Sequence, residues 1–161
     1  FLVHCLIMGF CVMLGLLTWY FGKPPNMRFY ETKTEEQLST TIAPDIHIAL
    51  DSRSSVAVKD GQPLQVEIFK GRIYFDIRKN AVDRLEVKVG DVLIRNLGTR
   101  FSIEMRNDGI HHVAVADGHI KIHLSAGTYQ INALEEADFD NKGISKHQLI
   151  GTRDIAPWRA Q

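Results

Sequence analysis

Cysteine is nearly absent: the 161 residues contain two, Cys5 and Cys11, both inside an apolar opening run, so everything beyond that run is free of thiols. Such a chain is not a disulfide-framed scaffold, and it has no Cys-x-x-Cys pair for zinc or redox chemistry. Inside the run the two thiols read as small apolar packing groups. An excess of either charge is missing as well, because 19 basic residues balance 19 acidic ones and the two signs are dispersed rather than blocked. No nucleic-acid face follows from that balance. The local signatures of catalysis are also missing: there is no Gly-x-Ser-x-Gly elbow, no His-Glu-x-x-His and no phosphate-cradling glycine loop, so the sequence predicts no enzyme and no cofactor. Asp76 and Glu86, at alternating positions, read as a solvated strand face rather than a catalytic pair. No convincing amphipathic helix is present either.

What the sequence does have begins with FLVHCLIMGFCVMLGLLTWYFG, residues 1–22, which carries no formally charged side chain. At 1.5 Å per residue a helix of that length reaches about 33 Å, enough for a hydrocarbon core of about 30 Å. Trp19 and Tyr20 sit at its end, where amphipathic rings favour the interface, and Lys23 marks the return to water. The run predicts one transmembrane helix in the lipid bilayer. It reads as an uncleaved anchor, since a signal peptide would have a shorter apolar stretch ending in small residues. Pro24 and Pro25 stop the helix and stiffen the chain beyond it, so residues 23–41 read as linker and lead-in. Because the sequence opens with Phe inside the run, a preceding segment is expected.

From Ile42 onward the dominant period is two. Apolar side chains alternate at Ile46, Ile48 and Leu50, at Leu64, Val66 and Ile68, at Ile73, Phe75 and Ile77, and at Leu85, Val87 and Val89. The same holds at Val113 and Val115 and at Ile120, Ile122 and Leu124. Turn signals separate these runs at Asp60-Gly61, Lys70-Gly71, Gly90-Asp91, Asp108-Gly109, Asp117-Gly118 and Ala126-Gly127. The pattern predicts an all-β domain over residues 42–132, built from antiparallel hairpin repeats as a sandwich or a solenoid-like stack. Residues 133–139, rich in acidic side chains, read as a loop. If Lys70-Gly71 is a two-residue hairpin loop, Ile68, Val66 and Leu64 face Ile73, Phe75 and Ile77 on one side of the pair. The same operation at Asp117-Gly118 places Val115 opposite Ile120 and His112 opposite His123. That histidine pair reads as an exposed cross-strand contact, with a shared transition metal as the alternative. No third ligand is evident, so no metal site is predicted.

Against this background IRNLGTRFSI, residues 94–103, resembles the Leu-Gly-Thr-x-Phe signature of the FecR-type periplasmic domain of membrane-anchored anti-sigma regulators of iron transport. Leu97, Gly98, Thr99 and Phe101 match it directly. The segment from Gly71 to Ile77 is similar to the family's Gly-Glu-Ala-Phe-Phe-Glu-Val strand, with Arg72 in place of the acidic residue. Leu50, Asp51 and Ser54 lie where a Leu-Asn-x-x-Ser pattern is usual, and the stretch through Gly118 resembles a Val-x-Val-x-x-Gly-x-Val-x-Val hairpin. The resemblance covers most of residues 42–127. Departures are Pro44-Asp45 for an Asp-Gly turn and Arg84-Leu85 for a Pro-Phe. Pro157-Trp158 resembles the start of the family's C-terminal signalling portion, which the resemblance would place over residues 133–161 as a truncated beginning.

The resemblance implies an inner-membrane, single-pass regulator with its β domain in the periplasm. Its partners would be a cytoplasmic extracytoplasmic-function sigma factor, reached through the segment before Phe1, and the signalling domain of a TonB-dependent outer-membrane receptor. A membrane-tethered β module that binds an envelope protein or glycan is the alternative. In the residues themselves, Gly98 reads as a backbone position that a side chain would obstruct, with Leu97 and Phe101 filling the core and Thr99 available for a local hydrogen bond. Gly98→Val is expected to lower the thermal midpoint, and unchanged melting would remove the structural role.

Overall fold

The structure, a computed structural model, describes Met13 and residues 26–78, 85–96, 98–151 and 155–156. Period-two alternation becomes strand throughout: β1 (Met27–Glu31), β2 (Leu38–Ala43), β3 (Ile46–Leu50), β4 (Ser55–Lys59), β5 (Leu64–Ile77), β6 (Leu85–Val89) and β7 (Val92–Asn96) come first. They are followed by β8 (Arg100–Met105), β9 (His111–Asp117), β10 (His119–Leu124), β11 (Gly127–Asn132), β12 (Glu135–Phe139) and β13 (Ile144–Leu149). Among the described residues no helix is long and apolar enough to cross a membrane, and the predicted anchor, apart from Met13, lies outside those residues.

All thirteen strands join one curled, open sheet. Its first half, half A, runs β1-β4-β5-β6-β7-β10-β11, and its second, half B, runs β2-β3-β5-β8-β9-β12-β13. The strand common to both is β5. Its residues up to Lys70 pair with β4 and β6, and its residues from Gly71 onward pair with β3 and β8. Every ladder is antiparallel except the one between β5 and β6, a departure from the purely antiparallel expectation. The cause is topological. Once β5 has passed into half B, the chain must return to half A, and it re-enters beside the start of β5, running the same way. The inward side chains of both halves, from Val58, Val66, Val87, Ile94 and Ile120 on one side to Ile48, Phe75, Ile103, Val113 and Phe139 on the other, form a single buried cluster. At roughly 25 cal/mol per Å² of apolar surface removed from water, this cluster supplies the main favourable term of a domain without disulfides.

The predicted hairpins at Lys70-Gly71 and Asp117-Gly118 are not formed. At Gly71 the strand continues from half A into half B, and at Gly118 the chain passes from β9 in half B to β10 in half A. The apolar alternation on either side of each glycine is as expected, but these residues enter the common core from different halves rather than facing along a ladder. Both glycines have positive φ, 85° and 79°, and both are crowded. A Cβ on Gly71 would lie 2.2 Å from Ser54 Oγ and 2.6 Å from Ser54 Cα, and one on Gly118 would lie 2.7 Å from the Gly98 carbonyl oxygen. The tight hairpins of the fold lie elsewhere, at Pro44-Asp45, Gly90-Asp91 and Ser125-Ala126. Strand also extends beyond the expected region: β1 and β2 occupy the predicted lead-in, and β12, where a loop was expected, pairs with β9. In β12 Ala137 and Phe139 point inward and Glu136 and Asp138 outward, so the acidic residues are one face of a strand.

The crowding at Gly71 separates two glycine substitutions that share a backbone conformation. Gly71→Ala combines left-handed strain with a clash against Ser54 and is expected to cost about 3 kcal/mol or more. Gly109→Ala, at φ 80° with open space around it, carries the strain alone, about 1–2 kcal/mol. Thermal melting of the two variants should differ by several degrees, and equal midpoints would remove the close approach at Gly71.

Candidate functional site

The signature residues gather where the chain changes halves. Gly98, with φ 68°, and Thr99 carry it from β7 in half A to β8 in half B; Leu97 lies outside the described residues. Thr99 is buried, and its hydroxyl donates to the His119 carbonyl at 3.2 Å, across to the passage at Gly118. Its own carbonyl accepts from the Ile77 N–H at 3.0 Å, at the end of β5. Two residues on, Phe101 enters the core and stacks on Phe75, ring centroids 4.9 Å apart and planes 12° from parallel. Gly98, Thr99, Phe101 and Gly118 are thus one structural corner, and the pattern Gly-Thr-x-Phe states its needs in order: a left-handed turn, a buried hydroxyl, and a core aromatic.

A second corner, which sequence reasoning missed as a unit, stands at the opposite end of the half-B strands, beside Gly71. The Thr32 N–H donates to the Ser54 carbonyl at 2.9 Å, the Thr32 hydroxyl donates to the Asp51 carbonyl at 2.6 Å, and the Ser54 N–H donates back to Thr32 Oγ1 at 2.9 Å. Ser54 Oγ in turn accepts from the Arg72 N–H at 3.0 Å. Both hydroxyl residues are buried. In the sequence Ser54 stands out only as part of the Leu-Asn-x-x-Ser pattern, and Thr32 lies in a polar stretch without period, where nothing distinguishes it.

The predicted histidine pair does not exist. His112, on β9, is flanked by Glu104 of β8 and Asp138 of β12, whereas His123, on β10, is flanked by Leu93 and Thr128. The two stand on different halves because Gly118 is a passage and not a turn. His112 Nδ1 lies 2.6 Å from Asp138 Oδ1, and its Nε2 lies 3.5 Å from Glu136 Oε2; His123 Nδ1 meets the Thr128 hydroxyl at 2.9 Å. Among the described residues no group of three His, Cys, Asp or Glu side chains is placed to hold a metal ion.

What His112 does join is a row of charged and polar side chains on the outer face of half B. In register across the strands stand Arg72, Glu104, His112, Asp138 and Lys146. Arg72 reaches Asp51 at 3.6 Å and Glu104 at 3.8 Å, and Arg106 bridges Glu104 at 3.6 Å to Asp138 at 3.4 Å. Lys146 closes the row on Glu136 at 3.7 Å. Each half-exposed pair contributes about 0–1 kcal/mol, so the row fixes strand register more than it stabilises. An imidazole between two carboxylates is a combination used for proton transfer, but this one lies on an open sheet face with its charges satisfied by neighbours. A cavity of about 590 Å³ lies between the β2-β3 turn and the loop through Pro63, and no titratable side chain lines it among the described residues.

His111, the neighbour of His112 on β9 and so on the opposite face of that strand, is buried, with its ring edge-on to Phe139 at 5.7 Å. Burial pushes its pKa below the ordinary 6.5; Asp108 and Asp140 oppose the shift and Arg106 adds to it. The folded protein therefore binds this proton less readily than the unfolded chain. The stabilisation is complete above about pH 6.5 and is lost as pH falls through the lowered folded value. The thermal midpoint is expected to drop between pH 7.5 and 5.5, and His111→Phe should flatten that part of the profile. An identical slope in the variant would assign the loss to other groups.

Comparison with known proteins agrees with this architecture. Two crystal structures, each of a candidate anti-sigma factor from Parabacteroides distasonis ATCC 8503, superpose with TM-scores of 0.69 and 0.71 at 13% and 14% sequence identity. The matches cover 80% and 82% of this chain but 62% and 64% of those proteins, so the chain spans under two thirds of their length. No curated protein matches the sequence. The family model described as FecR protein matches residues 28–121, from β1 through the passage at Gly118 into β10, more than half of the chain. The match of that family model over more than half of the chain, the Gly-Thr-x-Phe corner included, places this chain in the FecR family.

Proposed function

We propose that the chain is the β portion of a membrane-anchored anti-sigma regulator of bacterial iron uptake, with residues 1–22 spanning the inner membrane once and the sheet in the periplasm. The observation that carries the reading is the FecR match over residues 28–121, supported by fold likeness to the two candidate anti-sigma factors. On the cytoplasmic side, N-terminal to the apolar run, the protein holds an extracytoplasmic-function sigma factor. On the periplasmic side it meets the signalling domain of a TonB-dependent outer-membrane receptor, through the portion that begins in residues 133–161. No step of this relay asks for a bond to be made or broken within the sheet.

For the relay to work, the receptor must favour one state of the regulator over another, since a partner with equal affinity for both shifts nothing. Half B and its charged outer row give the domain a defined surface, and the linker with Pro24 and Pro25 couples it closely to the span.

The test is co-purification from detergent-solubilised membranes of the native bacterium, using the full-length protein tagged at its C-terminus. A sigma factor of the extracytoplasmic-function class is expected among the captured proteins, and deleting the regulator should change transcription from that sigma factor's promoters. An alkaline phosphatase fusion after residue 150 should be active, as a periplasmic enzyme is. Capture of an envelope protein or glycan with no sigma factor, and no transcriptional effect, would replace this reading with that of a tethered binding module.

A further inference from the structure

The outer face of half A carries polar or charged side chains at most positions, with Glu67 paired to Lys88 at 3.1 Å and Glu86 to Arg95 at 2.8 Å. Its β1 edge differs. Met27 and Phe29 on β1 and Phe69 on β5 are 49%, 69% and 48% exposed, although they are large and apolar. In register, Phe29 stands beside Ala57 on β4, with Phe69 on the far side of β4 at the bulge between Ser55 and Val56. The three project from the outer face of β1 and β5, the strands on either side of β4. The other exposed large apolar residues of the sheet, such as Ile110, Tyr129 and Leu149, lie on other elements.

Next to this patch stands Lys59, opposite Met27 in the β1-β4 ladder, which forms no ion pair among the described residues. Glu31, on the same edge, is neutralised by Lys70 at 2.9 Å. Among the described residues the edge is therefore apolar with a free cation and no unpaired anion on β1 or β4, the composition that favours the headgroup layer of an anionic membrane.

We infer that this edge, Met27, Phe29 and Phe69 with Lys59, rests on the bilayer surface and orients the sheet against the membrane. The inference rests on the proposed anchoring of residues 1–22. What selects the lipid over any other occupant is the length of chain between them. Only residues 23–26 separate the apolar run from Met27, and fully extended they span at most about 14 Å. The headgroup layer is itself about 5–8 Å thick on each side, so β1 starts within reach of it. Phe29, two residues further at about 3.4 Å per residue, stays in the same zone.

Full-length chain carrying Trp19→Phe and Trp158→Phe is reconstituted into phosphatidylglycerol-containing vesicles, with a single reporter introduced as Phe29→Trp. Tyr129→Trp, on β11 at the other edge of half A, serves as the control, and far-UV circular dichroism confirms the β fold of each variant. Lipids brominated near the headgroup are expected to reduce Phe29→Trp emission at least twofold and Tyr129→Trp emission by less than a tenth. Vesicle flotation is measured on the same samples. Protein that floats but shows an unquenched Phe29→Trp overturns the inference and leaves the anchor standing. An unquenched reporter together with cross-linked dimers through Phe29→Cys, on a Cys5→Ala, Cys11→Ala background, also overturns it and assigns the edge to a second copy. Protein that fails to float removes the anchor and the inference together.

Discussion

The structure depends on how backbone leaves one hydrogen-bonded ladder and enters another. Each passage between the halves releases N–H and carbonyl groups inside a packed domain, where each unsatisfied group costs about 1–3 kcal/mol. The chain meets this with buried hydroxyls and left-handed glycines. Thr32 and Ser54 serve the passages from β1 to β2 and from β3 to β4, and Gly71 places β5 close enough for Ser54 Oγ to reach the Arg72 N–H. At the other end of the half-B strands, Thr99, Gly98 and Gly118 do the same for β7 to β8 and β9 to β10. The passage from β11 to β12 joins them through the Leu134 N–H on the Val115 carbonyl at 2.8 Å. Early passages thus share one end and late ones the other. The parallel pairing of β5 and β6 is where the chain changes from one to the other.

That arrangement explains which parts of the fold the sequence made legible. Strand content and inward side chains were readable, because alternation at Ile46, Ile48 and Leu50 or Val113 and Val115 has one meaning whichever strand lies alongside. Pairing was not. A glycine that bends a strand into a facing half gives the same inward pattern as a glycine that turns a hairpin, since both shift the phase of alternation and both bring Ile68 and Ile73 to one core. Nothing in the local sequence separates the two. The difference lies with Ser54 and Thr99, far away in the chain, which occupy the space beside Gly71 and Gly118. The same ambiguity dissolved the His112 and His123 pair, whose proximity rested wholly on the hairpin reading. The family signature was legible as a pattern, and the structure supplies its cause.

β12 shows a different limit. Glu135, Glu136 and Asp138 depress strand propensity and suggest a loop, yet tertiary context overrides them. Asp138 faces His112 and Arg106, Glu136 faces Lys146, and Ala137 and Phe139 complete the core between them. Acidic residues are tolerated in that strand because the side chains of Arg106, Lys146 and His112 lie within reach of their carboxylates. Their partners come from β9, β13 and the turn after β8, so no window of sequence around β12 contains the reason.

The edges of the sheet also differ from its interior in how firmly they are held. β4 has a ladder on each side, to β1 and to β5, whereas among the described residues β1 has one ladder only and five residues in it. Beyond that ladder, β1 is secured by Arg28, whose guanidinium donates to the Ile42 carbonyl at 2.8 Å and to Asp60 at 2.7 Å, and by the Asp60 N–H on the Asn26 carbonyl at 2.9 Å. Arg28 ties β1 to half B, because Ile42 belongs to β2. A load arriving from the N-terminal side therefore acts first on one short ladder and one arginine. The shared core behind them is close-packed and transmits displacement rather than absorbing it. On the proposed anchoring of residues 1–22, this edge is where events at the membrane and events in the sheet are physically joined.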